Sequence, residues 1–119
     1  MRSARRFLSS TAAADLSDRG RAAGLKFFQF SFSDLFGVQR SKLVPASRVQ
    51  EIAEGGAGFA GFAAHLDMDP TMGDLLALPD ASTLTPLPWR KEVGWLACDL
   101  VHEGSELPHG PRNVLRGVR

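Results

Sequence analysis

The chain has 119 residues, enough for one domain and a short tail. Its 14 basic and 13 acidic residues nearly cancel, so the net charge of +1 gives no reason to expect nucleic acid as a partner. The single cysteine, Cys98, excludes an intramolecular disulfide and any zinc site that needs two cysteines from this chain. Cys98 stands in an apolar run, so we expect a buried structural thiol. No apolar stretch approaches the roughly 18 residues of a membrane span, and we expect no membrane partner.

Residues 1–24 differ in composition from the rest of the chain. Their first 14 positions hold three arginines and no acidic residue, which is typical of a mitochondrial or plastid transit peptide. Arg5, Phe7 and Ser10 are spaced like a two-step mitochondrial cleavage signal that ends after Ala14. We therefore expect a disordered leader that directs the protein to the mitochondrion, with the plastid or the cytoplasm as alternatives. The last ten residues of this segment indicate the start of the mature chain or a short lead-in helix.

The next part of the chain predicts a hairpin and a helix. Residues 25–33 carry aromatic side chains at alternate positions, which is the period of a β-strand. Asp34 suits a turn, and residues 38–44 predict the second strand of the hairpin. A short helix follows, with its N-cap, its capping-box partner and its two terminating glycines at Ser47, Gln50, Gly55 and Gly56.

The remainder is irregular at first and then extended. Residues 57–80 carry scattered aromatic residues, prolines and glycines, and they predict a long loop. Residues 84–89 contain two prolines, which confine a strand to an edge. Residues 93–102 are apolar on both faces and predict a central strand. After a turn at residues 103–105, a helix begins at Pro111 and is cut off by the end of the sequence.

This order of elements predicts an α+β fold. Residues 25–119 are expected to form a β-grasp-like domain, in which one helix crosses a small mixed sheet. The leader, residues 1–24, precedes that domain, and the helix at its end is truncated.

Three patterns could indicate a functional site. Residues 56–61 fit G-x-G-x-x-G, but they follow a predicted helix rather than a strand, so we interpret them as a helix end and a flexible loop instead of a dinucleotide site. His65, Asp67 and Asp69 alternate and could bind a divalent ion on a strand. Such residues in a loop are ordinarily solvated, so we predict no metal site. We interpret Asp34 as a turn cap rather than a catalytic carboxylate.

Five segments occur in an order and at a spacing that resemble the N-terminal domain of glutamine synthetases. The resemblance covers about residues 25–118. The five segments are FSDLFG at 32–37, KLVP at 42–45, LPW at 87–89, ACD at 97–99 and PRNVL at 111–115.

The resemblance implies a β-grasp domain followed by a much larger catalytic domain. Enzymes of the family join ammonia to glutamate through γ-glutamyl phosphate, using ATP and magnesium or manganese ions. Their subunits form rings, and each active site lies between a catalytic domain and the N-terminal domain of a neighbour. The ATP, the metal ions and the catalytic carboxylates belong to the large domain, so we expect no catalytic residue, metal ligand or cofactor site in this chain.

In the family, one loop of this domain contributes to the active site of the neighbouring subunit. The resemblance places that loop, as a substrate-binding element, at Phe59, Ala60, Gly61 and Phe62. Typical members have an aspartate that binds ammonium at the position of Ala60, and a methyl group can neither attract a cation nor accept a proton. The parent enzyme is therefore expected to recruit another carboxylate, Asp67 or Asp69, or to use a different amine, as relatives that act on alkylamines do.

Three functional hypotheses remain open on the sequence. The first is the N-terminal part of a glutamate–ammonia ligase that is inactive alone and partners its own catalytic domain in a homo-oligomer. The second is a non-catalytic interaction module that associates with full-length subunits. The third is an unrelated small β-grasp protein.

Overall fold

The computed structural model describes residues 7–118, which form one mixed β-sheet, α-helices and short 3-10 turns. The helices are α1 (Ser10–Ala22), α2 (Val49–Gly55) and α3 (Pro111–Val118). The strands are β1 (Phe27–Ser33), β2 (Gln39–Pro45), β3 (Ala57–Ala60), β4 (Asp74–Pro79), β5 (Thr85–Leu87), β6 (Arg90–His102) and β7 (Ser105–Glu106). The 3-10 turns are Ala46–Arg48, Pro70–Met72 and Ala81–Thr83.

Strand β6 is the centre of the sheet. It pairs in parallel with β1 and antiparallel with β4, β5 and β7. The continuous path runs β2-β1-β6-β4-β3, and β5 and β7 pair with β6 beside that path. The central position expected for residues 93–102 is confirmed, as are the hairpin of β1 with β2 and the α+β fold class.

The aromatic alternation of β1 builds the core. Phe28, Phe30 and Phe32 lie on one side of the strand and are all buried. They pack with Leu96 of β6 and with the apolar residues of α1 and α2. Because burial of a large apolar side chain contributes roughly 1.5–3 kcal/mol, this alternating trio fixes which face of the sheet the helices cover.

Helix α1 corrects the expectation that residues 1–24 are disordered. Ser9 caps the helix, because its hydroxyl accepts a hydrogen bond from the Ala12 N–H at 3.1 Å. Leu16 is fully buried in the core. Gly20 lies so close to the Phe28 ring that a Cβ there would collide with it. The expected disorder therefore does not extend to Ser10–Ala22, while Arg5 of the proposed cleavage signal lies outside the described residues.

Two further local predictions need correction. Ser47 does not cap α2 with its side chain, because a 3-10 turn precedes that helix and Arg48 holds the N-cap position. Residues 57–80 are not one long loop, since they contain β3 and β4, which pair with each other. Gly56 does end the preceding helix, with a φ of 85° that glycine adopts readily. Two helices, α1 and α2, contact each other over the sheet where one was expected.

Helix α3 is attached by its arginines. Arg112 donates to Asp99 and Asp80, each at 2.8 Å, and Arg116 also pairs with Asp99, which is buried on β6. Burial alone would raise the pKa of Asp80, but hydrogen bonds from Ser82 and Arg112 outweigh it and hold that pKa below its ordinary value. The polar side of the helix thus faces the sheet.

Cys98 is buried on β6, as expected. Burial raises the pKa of its thiol to about 12, so the group stays protonated at neutral pH and is a poor nucleophile. Within residues 7–118, no helix is both long enough and apolar enough to cross a membrane.

Candidate functional site

Strand β3 brings the four predicted site residues to one end of the sheet. Phe59 and Ala60 end the strand, and Gly61 and Phe62 begin the loop that follows. The Ala60 carbonyl accepts a hydrogen bond from the Ala64 N–H at 3.1 Å. The loop therefore starts as a single helical turn, which makes these four residues one compact unit.

This loop has one side fixed to the core and one side exposed. The Phe59 ring meets the Phe32 ring edge to face, with centroids 4.8 Å apart. Gly61 is buried against Met68, whose side chain occupies the space that a Cβ would need. The Phe62 side chain, in contrast, is 52% exposed. The sequence thus anchors the loop through Phe59 and Gly61 and presents Phe62 outward.

Lys42 connects the two ends of the strand path. It lies on β2, the first strand of the path, and its ammonium group donates a hydrogen bond to the Gly58 carbonyl on β3, the last strand. The same ammonium lies 4.8 Å from the centroid of the Phe59 ring, a distance at which a cation is attracted to the aromatic face. The sheet therefore curls until its ends approach, and Lys42 holds the base of the loop.

The turn between β1 and β2 lies beside this loop and is organised by Asp34. The buried Asp34 carboxylate accepts hydrogen bonds from the N–H groups of Phe36 and Val38, each at 2.9 Å, and from Arg40 Nε at 3.0 Å. Burial alone would raise the pKa of Asp34, but the hydrogen bonds from Val38, Arg40 and Phe36 outweigh it and lower that pKa. The interpretation of Asp34 as a turn cap is confirmed.

His65 joins the turn to the loop. Its Nδ1 lies 2.8 Å from Arg40 Nη2, so the ring accepts a hydrogen bond from the guanidinium. Its carbonyl accepts from the Leu35 N–H at 3.2 Å, and its ring meets Phe36 edge to face. Residues 34–38 and 60–65 therefore form one continuous surface, which we name the tip surface.

Asp74 of β4 borders the tip surface on the other side. It is the direct cross-strand partner of Ala60, so both side chains project from the same side of the sheet. Its carboxylate leans over β3, because Oδ2 lies 3.5 Å from the position that a Cβ on Gly58 would occupy. Asp74 is thus the acidic side chain that the strand register sets beside Ala60.

Two of the three residues considered as metal ligands, His65 and Asp69, have hydrogen-bond partners within the domain. The Asp69 carboxylate accepts hydrogen bonds from the Thr71 N–H and hydroxyl, which lower its pKa, and it caps the 3-10 turn that follows. His65 accepts from Arg40, and both His65 and Asp67 have a φ of 54°. Among residues 7–118, no group of three or more His, Cys, Asp or Glu side chains could hold a metal ion.

Sequence reasoning missed three residues of this site: Lys42, Arg40 and Asp74. Lys42 and Arg40 contact residues that are far away in the chain, Gly58 and His65. Asp74 lies on β4, a strand that was not predicted. Only Lys42 carried a signal, because it lies in one of the five segments of the family resemblance. The register of β3 with β4 was not accessible, since residues 57–80 were interpreted as a loop.

Comparison with known proteins identifies the family. A glutamine synthetase of Rhizobium meliloti is 49% identical over 102 residues, which are 86% of this chain and 23% of the relative. This chain matches the N-terminal domain of the glutamine synthetase family. The resemblance seen in the sequence is therefore confirmed, and the chain spans about a quarter of the length of the curated relatives it matches.

A solved structure and a glutamate–amine ligase also match. A solved structure of a GmaS–ADP complex has a TM-score of 0.85 and 53% identity over 87% of this chain and 24% of its own. A glutamate–methylamine ligase of Methyloversatilis universalis is 36% identical over 94 residues, 77% of this chain and 21% of its own. The chain matches no protein-family model.

Proposed function

We propose that this chain is the N-terminal domain of an ATP-dependent ligase that joins glutamate to ammonia or a small amine. In that enzyme, residues 59–62 contribute to the active site of a neighbouring subunit. The observation that carries the proposal is the match to glutamine synthetases at 49% identity, together with a loop of compact and partly exposed geometry at the expected position.

The chemistry divides between this domain and the rest of the enzyme. Forming γ-glutamyl phosphate needs metal ions and positioning groups around ATP, and the described residues offer no fitting metal site. In the proposed enzyme, ATP and magnesium or manganese are held by the catalytic domain, as the family resemblance implies. The contribution of this domain is made at the amine end of the site, and the domain alone has no ligase activity.

Among amines, an alkylamine fits the tip surface better than ammonia. Ala60 supplies a partly exposed methyl group, and Phe62, two residues further along the loop, presents an exposed ring. A small apolar surface favours a substrate that carries a methyl or ethyl group, because burying each carbon contributes about 0.8 kcal/mol. The glutamate–methylamine ligase among the relatives supports this choice.

A non-catalytic role is the second candidate, and one observation favours it. Helix α3 turns its arginines toward the sheet and leaves Val114, Leu115 and Val118 exposed, with Leu115 at 67% and Val118 at 77%. An exposed apolar stripe of this kind suits contact with another domain or subunit. A free domain could use it to associate with full-length subunits.

The test is a ligase assay on the full-length protein that contains this sequence. We expect release of phosphate from ATP that depends on glutamate and on an amine, with kcat/KM for methylamine above that for ammonia. The 119-residue chain, assayed as the matched control, should release none. Full-length protein that forms no γ-glutamyl amide with any small amine would contradict the ligase proposal and leave the interaction module.

A further inference from the structure

We propose that Asp74 is the carboxylate that binds the ammonium group of the amine substrate. The proposal rests on the function proposed above, because it requires the tip surface to border the amine site. The negative charge that binds the amine then lies on β4 rather than on the loop. Ala60 contacts the alkyl group of the amine.

The strand register is the first argument. In a directly opposed antiparallel pair, side chains lie about 4.5–5.5 Å apart at Cβ, and they project to the same side. Ala60 and Asp74 form such a pair at the point where β3 becomes the loop. When the alkyl group of the amine rests on the Ala60 methyl group, its ammonium group is therefore within reach of the Asp74 carboxylate.

The second argument is the direction of the carboxylate. Asp74 Oδ2 lies 3.5 Å from the position of a Cβ on Gly58, so the side chain crosses above β3 instead of extending away from it. Gly58 has no side chain to block that path. The acid thus lies above the strand that carries the loop, on the same side as the Ala60 side chain.

The other acids near the loop are less suitable. The Asp69 carboxylate is used as the cap of a 3-10 turn, where it accepts two hydrogen bonds from Thr71. Asp67 lies on an irregular segment, two residues after His65. Neither Asp67 nor Asp69 belongs to a strand that pairs with β3. Of the acids considered, Asp74 alone has its position fixed by the same ladder that fixes Ala60.

The chemistry follows from the two neighbours. An alkylammonium ion donates hydrogen bonds to a carboxylate, and such charge-assisted bonds are among the stronger polar contacts in proteins. Its alkyl group then points to the methyl group of Ala60. In this arrangement Asp74 recognises the charge of the amine and Ala60 recognises the size of its alkyl group. Substitutions at the two positions should therefore affect charge and size recognition separately.

The experiment compares Asp74→Asn with Asp67→Asn in the full-length protein. For Asp74→Asn we expect the KM for methylamine to rise about 10- to 100-fold, since one charged hydrogen-bond partner is lost, while the KM values for glutamate and ATP stay unchanged. Asp67→Asn should leave all three KM values near those of the wild type. Asp74→Glu keeps the charge and should recover much of the loss. The thermal midpoint of each variant reports whether the fold is intact.

The outcomes distinguish this proposal from the function on which it rests. Wild-type protein without amide formation would overturn both. Active wild-type protein with an unchanged methylamine KM in Asp74→Asn, or with the larger loss in Asp67→Asn, would overturn the role of Asp74 alone. Equal losses for amine, glutamate and ATP in Asp74→Asn would also contradict it, because they would indicate a general structural effect.

Discussion

Deleting residues 1–24 should lower the free energy of unfolding by at least about 5 kcal/mol. The deletion removes the fully buried Leu16 and uncovers the Phe28 ring that Gly20 approaches. It also removes the hydrogen bond from Arg19 to the Ala81 carbonyl. A domain of this size is stabilised by roughly 5–15 kcal/mol in total, so the remaining chain should be largely unfolded or close to it.

Urea denaturation followed by tryptophan fluorescence measures this loss, because both tryptophans of the sequence remain in the shortened chain. Leu16→Ala is the matched point variant and should cost about 2–5 kcal/mol. Thr11→Ala, an exposed position on the same helix, should change stability by less than about 0.5 kcal/mol. A shortened chain as stable as the original would mean that α1 is not part of the core.

The packing of α1 limits where a targeting leader could be cleaved. Import into the mitochondrion remains a prediction from the composition of residues 1–24. Cleavage after Ala14 would fall inside α1 and would remove Ala13, which is buried, together with the Ser9 cap. We therefore expect any removed leader to end before Ser9.

Replacing Ala60 with aspartate should shift the preference of the full-length enzyme toward ammonia. The new carboxylate replaces the Ala60 methyl group and adds charge at the proposed amine site, so the alkyl group of the substrate would lose its apolar contact. We expect the ratio of kcat/KM for ammonia to that for methylamine to rise by about tenfold or more. Steady-state kinetics with both amines measures it.

Ala63→Asp is the control for that substitution. Ala63 lies in the same loop and is exposed, so the control adds the same charge without occupying the position opposite Asp74. It should leave the ratio near the wild-type value. An unchanged ratio in Ala60→Asp, or an equal shift in both variants, would show that the side chain at Ala60 does not determine the choice of amine.

Local patterns were sufficient for much of the fold. The alternation at Phe28, Phe30 and Phe32, the turn at Asp34 and the central apolar strand were all predicted, because each depends on neighbours within a few residues. The position of the loop at residues 59–62 came from the family resemblance. It was not accessible from periodicity, since a strand of four residues shows too few alternations.

The contacts that build the site could not be predicted in the same way. Lys42 reaches the Gly58 carbonyl only because the whole sheet curls, and Asp74 faces Ala60 only because β3 and β4 pair in one register. The lead-in helix that was one of two expectations for the last ten residues of the leader is present, but its first turns were missed, because a transit peptide and an amphipathic helix share alanine, serine and arginine. The burial of Leu16 in the core distinguishes the two.

The most direct test of the central claim is the size of the natural protein that carries this sequence. An immunoblot with an antibody against residues 25–110, supported by mass spectrometry of the captured band, measures it. We predict a product roughly four times as long as the matched segment, since that segment is 23% of the Rhizobium meliloti relative. A stable product of 12.9 kDa or less, with no larger form, would contradict the assignment to a ligase and favour an independent interaction module.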